Sequence, residues 1–226
     1  MSDFINTIDL LGDDIVIDSI IDKSITEFRD DKLSTLPDSA FADFDKLETI
    51  DLPNVAESAS FYPFQFTFAR CRALKNINMP ALREGAYMFQ DCTGLEYVSF
   101  PVLGAAGYCF LQNCNKLRIA DFGRMSSWTS YALRWCSSLN RLVLRYNGVC
   151  TNGGTQPLAG TPLENGNHGG GRVYVPSMFI EAYQNATNWA ALYAAGTCTF
   201  IALEDVTVDG TTTGALKVCE DLIFDS

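Results

Sequence analysis

Apolar residues return along the chain in a fixed order. Leu47, Leu74, Leu95, Leu117 and Leu139 are spaced 27, 21, 22 and 22 residues apart. Three residues before each leucine stands Phe44, Cys71, Cys92, Cys114 or Cys136, and three after it stands Ile50, Ile77, Val98, Ala120 or Leu142. Two positions further come Leu52, Met79, Phe100, Phe122 and Leu144. Pro53, Pro80 and Pro101 follow in three copies, with Val55, Leu82 and Leu103 two residues beyond. Upstream of the cysteine position, Phe41, Phe68, Phe89, Leu111 and Leu133 recur three residues back. The unit therefore reads L-x-x-I-x-L-P-x-V, a variable span, then F-x-x-C-x-x-L.

This pattern predicts one strand and one return per unit. The I-x-L alternation puts two side chains on one face of a short strand and turns the residues between them the other way. Proline ends the strand and forces a bend, and the F-x-x-C-x-x-L spacing fits a turn of helix. The period lies within the ~20 to 29 residues of a leucine-rich repeat. One such unit cannot bury its apolar faces alone, but stacked copies can, with parallel strands about 4.8 Å apart. The predicted fold is an α/β repeat, a leucine-rich-repeat solenoid with parallel strands on the concave face, short helical or irregular returns and a C-terminal cap helix. About five repeats are expected over residues 24–146, behind an acidic capping segment over 1–23. The longest copy carries its extra residues in Ser58 to Thr67, so Phe61, Tyr62, Pro63 and Phe64 are expected to bulge, either as a contact site or packed on the neighbouring return. The fourth and fifth units depart from the pattern, with Gly123 and Arg145 at the proline position and Ala120 at the larger strand residue.

Past the repeats, residues 147–171 read as a glycine-rich loop. Residues 172–204 read as a strand, Arg172 to Val175, followed by a cap. Pro176 turns the chain into an amphipathic helix from about Met178 to Ala195, whose Phe179, Tyr183, Trp189 and Leu192 would shield the edge of the last repeat. Residues 205–226 form a tail with a tight-turn signal at Asp209-Gly210. The whole chain is expected to be one structural domain.

These residues resemble the BspA-type leucine-rich repeats of bacterial surface proteins and of phage and prophage proteins from gut bacteria. The likeness rests on the repeat and on a distinctive ending: Val173-Tyr174-Val175-Pro176, Tyr183, Ala186-Thr187-Asn188-Trp189, Phe200 and Ala202-Leu203-Glu204-Asp205. The opening Leu10-Leu11-Gly12-Asp13-Asp14 with Ile25-Thr26-Glu27-Phe28, and the tail from Val206 to Gly214, are similar to phage-encoded members. The resemblance implies a non-enzymatic binding protein, structural or tail-associated in a phage, that contacts a host-surface protein or glycan and other virion proteins. An intracellular interaction module inhibiting a host enzyme or defence, and a bacterial surface adhesin, are the alternatives. The first 25 residues lack the basic n-region of a secretory signal, so the chain is expected to be made in a cytoplasm and to be virion-associated, without the export route an adhesin needs.

Charge and composition narrow the partners. A formal charge of −11 argues against nucleic acid and anionic membrane, whose binders concentrate lysine and arginine. No window approaches the ~18 uninterrupted apolar residues of a membrane helix. Cysteines recurring at one place in the repeat point to buried packing rather than to disulfides or metal. His168, within Asn165-Gly166-Asn167-His168-Gly169-Gly170-Gly171, is the sole histidine, so paired nucleophile and base chemistry has little to draw on. The glycines do not form a phosphate-binding loop, and the neighbouring carboxylates Asp13-Asp14 and Asp30-Asp31 lack calcium-loop spacing. No cofactor and no metal are expected. What remains is the exposed row of the strands: Thr49 and Asp51, Asn76 and Asn78, Tyr97 and Ser99, Ile119 and Asp121, Arg141 and Val143. This row runs from polar and acidic to apolar and basic, and is the candidate ligand-binding surface.

Overall fold

A computed structural model describes residues 22–58 and 65–203 of the chain. The expected N-terminal capping segment before Asp22, the Phe61–Phe64 bulge and the tail with its Asp209-Gly210 turn lie outside the described residues. The elements in chain order are β1 (Glu27–Arg29), β2 (Thr35–Leu36), β3 (Thr49–Asp51), β4 (Glu57–Ser58), β5 (Asn76–Asn78), β6 (Glu84–Gly85), β7 (Tyr97–Phe100), β8 (Ala105–Ala106), β9 (Ile119–Phe122), β10 (Ser127–Trp128), β11 (Arg141–Leu144), β12 (Thr151–Asn152), α1 (Pro162–Asn165), β13 (Gly171–Val175), α2 (Ile180–Asn185), α3 (Trp189–Ala194) and β14 (Cys198–Ala202). The strands pair in parallel in four ladders: β1-β3-β5 and β7-β9-β11-β13-β14, which together are called the main sheet below, and β2-β4 and β6-β8-β10-β12, which together are called the second sheet. Among the described residues no helix is long and apolar enough to cross a membrane.

The repeat register follows the apolar pattern. Thr49 pairs with Asn76 and Ile50 with Ile77, while Val98 pairs with Ala120 and Ala120 with Leu142. Leu47, Leu74, Leu95, Leu117 and Leu139 are all fully buried, as are the five residues at the phenylalanine position. Phe41, Phe68 and Phe89 stack with ring centroids 5.2 and 5.4 Å apart. Each ladder cysteine is a free, buried thiol that donates to the coil before it: Cys71 Sγ to the Phe41 carbonyl at 3.0 Å, Cys92 to Phe68 at 3.0 Å, Cys114 to Phe89 at 3.3 Å and Cys136 to Leu111 at 3.1 Å. The small apolar thiol thus fills the core and reaches a carbonyl at the same time. Burial pushes the Cys71 thiol up to about 12 and the Cys92 and Cys114 thiols well above their ordinary value.

The returns differ from the expected turn of helix. F-x-x-C-x-x-L is a chain of tight turns, and the left-handed conformation recurs twice per coil, four residues apart, at Ser39 and Asp43, Phe66 and Arg70, Tyr87 and Asp91, Cys109 and Asn113, Tyr131 and Trp135, and in the sixth coil at Gln156 and Gly160. Each non-glycine residue there costs on the order of 1 to 3 kcal/mol of backbone strain. Lateral bonding offsets that cost. The N–H groups of Phe41 and Asp43 donate to Thr67 and Ala69, those of Phe68 and Arg70 to Met88 and Gln90, and those of Leu111 and Asn113 to Ala132 and Arg134, all at 2.8 to 3.0 Å. A helix would spend those donors within its own turn and leave neighbouring coils unconnected.

Residues 147–171, expected as a loop, form a sixth coil instead. Its strand β12 pairs with β10, and the carbonyls of Thr155, Pro157 and Ala159 accept from Tyr131, Leu133 and Trp135 of the coil before. Leu158 and Thr161 occupy the phenylalanine and cysteine positions, both buried, with the Thr161 hydroxyl donating to the Leu158 carbonyl at 2.7 Å. Threonine for cysteine, and glutamate for leucine at Glu164, hide this coil from the pattern. His168 sits exposed on a short 3-10 turn after α1.

The cap also differs. The helix expected from Met178 to Ala195 is a 3-10 turn at Ser177–Phe179, then α2, then α3, broken by extended Ala186 and left-handed Asn188. The break lets two large side chains turn inward. Trp189 Nε1 donates to the Cys150 carbonyl at 2.8 Å, and the Cys150 N–H donates to Tyr183 Oη at 2.8 Å. Strand β14 then adds to β13 in parallel, so the cap contributes a further strand that the sequence pattern does not announce.

The two departures at the proline position have separate reasons. A Cβ on Gly123 would lie 1.7 Å from the Pro101 carbonyl oxygen, so no other residue fits that backbone approach. Arg145 forms a two-point pair with Asp121, Nε to Oδ1 and Nη2 to Oδ2 both at 2.8 Å.

Candidate functional site

Strand alternation puts the candidate residues on the side of the main sheet opposite the core, but they do not form one uniform row. In the first coils the face is open and polar. Asn78 Nδ2 donates to Asp51 Oδ1 at 2.7 Å, Asn76 Nδ2 to Thr49 Oγ1 at 3.3 Å, and Arg29 Nη1 to Asp51 Oδ2 at 3.3 Å, with Arg29 also held by Glu27. Tyr97 and Ser99 are half-buried. Toward the C-terminal end the face is covered. Ile119, Asp121 and Val143 are 2, 3 and 0% exposed, so these three do not belong to an open binding row. Ile119 and Val143 join Tyr174 in a second apolar cluster, with Tyr97, Ile201 and Leu203 packed against it, and Asp121 is held by Arg145. Large apolar residues on adjacent strands cover one another there, which the alternation of one strand does not reveal. Arg141 is half-buried and in register with Ile119 on one side and Arg172 on the other.

The main sheet has a seam in the middle of this face. Asn76 N–H donates to the Glu48 carbonyl at 3.0 Å and Leu52 N–H to the Asn78 carbonyl at 2.9 Å, so Asn76 and Asn78 bond toward β3. By alternation the N–H and C=O of Ile77 point toward β7. On β7 the Glu96 and Phe100 carbonyls accept from Ile119 at 3.3 Å and Gly123 at 3.0 Å, which leaves Tyr97 and Ser99 pointing back toward β5. β5 and β7 therefore face each other but belong to separate hydrogen-bonded ladders. The second sheet is interrupted one strand earlier, between β4 and β6.

Two depressions meet at the seam. One, about 270 Å³, is lined by Arg29, Thr49, Asp51, Lys75, Asn76, Asn78, Tyr97 and Ser99 together with Ile50, Ile77 and Val98. The other, about 370 Å³, is lined by Lys75, Asn76, Gly94, Glu96, Tyr97, Arg118 and Ile119. Both include Lys75, Asn76 and Tyr97. Six of the ten candidate residues therefore line one depression. Arg29, Lys75, Glu96 and Arg118 join them although the alternation pattern passes over them: Lys75, Glu96 and Arg118 immediately precede their strands, and Arg29 belongs to a coil whose strand lacks the leucine signature. Lys75 is paired with Glu48 at 2.9 Å.

A second surface escaped the pattern altogether. On the returns, Phe66, Tyr87, Tyr108 and Tyr131 form a row with successive ring centroids 4.7, 6.0 and 5.9 Å apart. Arg134 lies 4.9 Å from the Tyr131 ring and 4.1 Å from that of Trp135. The available signal was an aromatic two residues before the buried phenylalanine position, at Phe66, Tyr87 and Tyr131. On the same surface the Arg70 guanidinium bonds Asp43 at 2.6 and 2.8 Å and lowers its carboxyl below the usual value. Among the described residues no three His, Cys, Asp or Glu side chains converge as metal ligands.

Comparison with known proteins follows the same lines. A family model described as BspA type Leucine rich repeat region matches in six copies, over residues 22–140 and 65–168. No curated protein matches the chain. Among solved structures, the crystal structure of T. pallidum Leucine Rich Repeat protein (TpLRR) is similar at 17% identity over 75% of this chain and 79% of that one, with a TM-score of 0.47.

Proposed function

Since the chain belongs to the BspA-type leucine-rich-repeat family, we propose that it is a non-enzymatic binding module that engages its partner on the N-terminal half of the outer face of the main sheet. One observation carries this: the two depressions meet at Asn76 and Tyr97, in the part of the face whose side chains stay open to solvent. Solenoids of this kind commonly bind through such extended surfaces. Family membership supports the scaffold role, and the chemistry of the buried cysteines agrees with it, because thiols held in their neutral form are poor nucleophiles.

The finer reading is a phage structural or tail-associated protein contacting a host-surface protein or glycan, supported by the likeness of the opening and ending to phage-encoded members. Mass spectrometry of purified particles tests the location: the chain is expected among the virion proteins, and its absence there with recovery on a cytoplasmic host protein sinks the tail role. The binding face is tested separately. Pelleting with a panel of gut-bacterial cells is expected to retain the wild-type chain and to lose Asn78→Arg. Equal retention of both removes the sheet face from consideration.

A further inference from the structure

The row of rings on the returns ends at a cation for which the stack provides no counter-charge. We propose that this end, formed by Tyr108, Tyr131, Arg134 and Trp135, is a second interaction surface that takes an acidic segment of a protein partner. An aspartate or glutamate carboxylate sits on Arg134, and an apolar neighbour packs against the aromatics. The surface lies apart from the sheet face and goes beyond the reading of that face.

The first argument is the state of Arg134. Elsewhere on the returns charged groups are paired from coil to coil: Arg70 with Asp43, Arg72 with Asp45, and Asp91 with the Asn113 amide at 2.6 Å. Arg134 follows the buried phenylalanine position directly. That place holds Ala42, Ala69, Gln90 and Gln112 in the coils before and Ala159 in the coil after, so no other charge stands in its row. Among the described residues its guanidinium has no acceptor, and its Nε is buried without one. Burial keeps the nearby Cys109 thiol neutral, and Glu164 of the sixth coil accepts from the Gly160 N–H at 2.9 Å.

The second argument is how the cation is held. The guanidinium lies 4.9 Å from the Tyr131 ring and 4.1 Å from that of Trp135. Trp135 in turn leans over Gly160, where a Cβ would come within 2.8 Å of the indole. An arginine fixed on ring faces keeps its planar N–H fork for a two-point bond to a carboxylate, and it loses less freedom on binding than a loose side chain. One guanidinium also matches the single charge of a carboxylate, whereas a phosphate would keep unbalanced charge.

Ring geometry supplies the third argument. Phe66, Tyr87 and Tyr108 are stacked with interplanar angles of 26 and 25°, so their faces cover one another. Arg134 takes a face of Tyr131 and of Trp135. A partner therefore meets ring rims, which carry the positive end of the ring quadrupole, and these suit carboxylate and carbonyl oxygens. A sugar ring, which packs on an open aromatic face, finds none. Tyr108 and Trp135 are 44 and 48% exposed, so this end can be reached. Tyrosine, tryptophan and arginine are also the residues that dominate the binding energy of protein interfaces.

Selection of a display library of random dodecapeptides on the full chain, with fluorescence anisotropy on the selected peptides, tests the proposal. The peptides are expected to share an Asp or Glu beside an apolar residue. Replacing that acid by its amide, Arg134→Gln and Trp135→Ala should each weaken binding about tenfold or more, and Asn78→Arg on the sheet face should leave it unchanged. On the wild-type chain, binding should also weaken as salt is raised, so the salt and amide comparisons report even if a variant fails to fold. Peptides that lack a shared acid, or that bind equally as amides or to Arg134→Gln, overturn the proposal. So does tighter binding of hexagalacturonate or of phosphoserine versions of the peptides. Loss of peptide binding on Asn78→Arg with retention on Arg134→Gln overturns this surface and leaves the sheet face standing.

Discussion

A ladder cysteine answers two demands with one small side chain. It must be apolar enough to sit among Phe and Leu, and it must supply a hydrogen to a carbonyl of the previous coil, as Cys71 does for Phe41. Serine would carry a costlier hydroxyl into the core, and valine would leave the carbonyl without that donor. The same burial makes stability depend on pH in a definite direction. Cys71, Cys150 and Cys198 are each raised from an ordinary value near 9 to about 12 by desolvation. The folded chain thus keeps protons that the unfolded chain releases, and by linkage stability falls as pH rises through that window. Urea unfolding is expected to give constant stability up to about pH 9 and a progressive decline between about 9 and 12. The slope of that decline should be shallower in a Cys71→Ala, Cys150→Ala, Cys198→Ala variant, and an equal slope would remove these thiols as its cause.

The returns and the cap are decided at the scale of elements. Two left-handed residues per coil stop helix formation, and the turns gain in exchange a row of hydrogen bonds to the next coil. Spacing alone could not separate these options, because F-x-x-C-x-x-L buries the same three positions in a helix turn and in a tight-turn chain. The cap closes the stack through Trp189, which meets Trp128, Tyr183 and Phe200 at centroid distances of 5.6 to 5.9 Å. Its indole N–H also occupies the Cys150 carbonyl. Trp189→Ala is expected to cost about 3 to 5 kcal/mol, as for other buried large-to-small changes, with Trp189→Phe recovering part of the loss. Thermal unfolding of the two variants checks this, and similar melting temperatures for wild type and Trp189→Ala would mean that α3 does not seal the core.

For the whole molecule the seam is the feature with consequences beyond its own residues. The main-sheet ladder divides after β5 and the second-sheet ladder before β6, where one bond from the Arg83 N–H to the Ala56 carbonyl remains, and the coil holding β5 and β6 is bonded to both neighbours through its turns. Hydrogen exchange is expected to find the amides of Ile77 and Ser99 faster than that of Asn76, whose N–H is bonded to Glu48. Equal protection across the three would mean that the two strands pair in solution. How much of this was legible in the sequence divides along one physical line. Strand positions, the inward set from Ile50 to Leu144 and the cysteine ladder were readable, because side-chain alternation and a repeated core position are properties of a single coil. The sixth coil at Thr161 was hidden by a substitution within the pattern, and the strand β14 had no pattern to follow. The turn geometry, the covering of Ile119, Asp121 and Val143, and the break between Ile77 and Tyr97 belong to none of the coils alone. They arise from hydrogen bonds and side-chain contacts between residues some twenty or more positions apart, so only the stacked structure could decide which candidate residues stay open to a ligand.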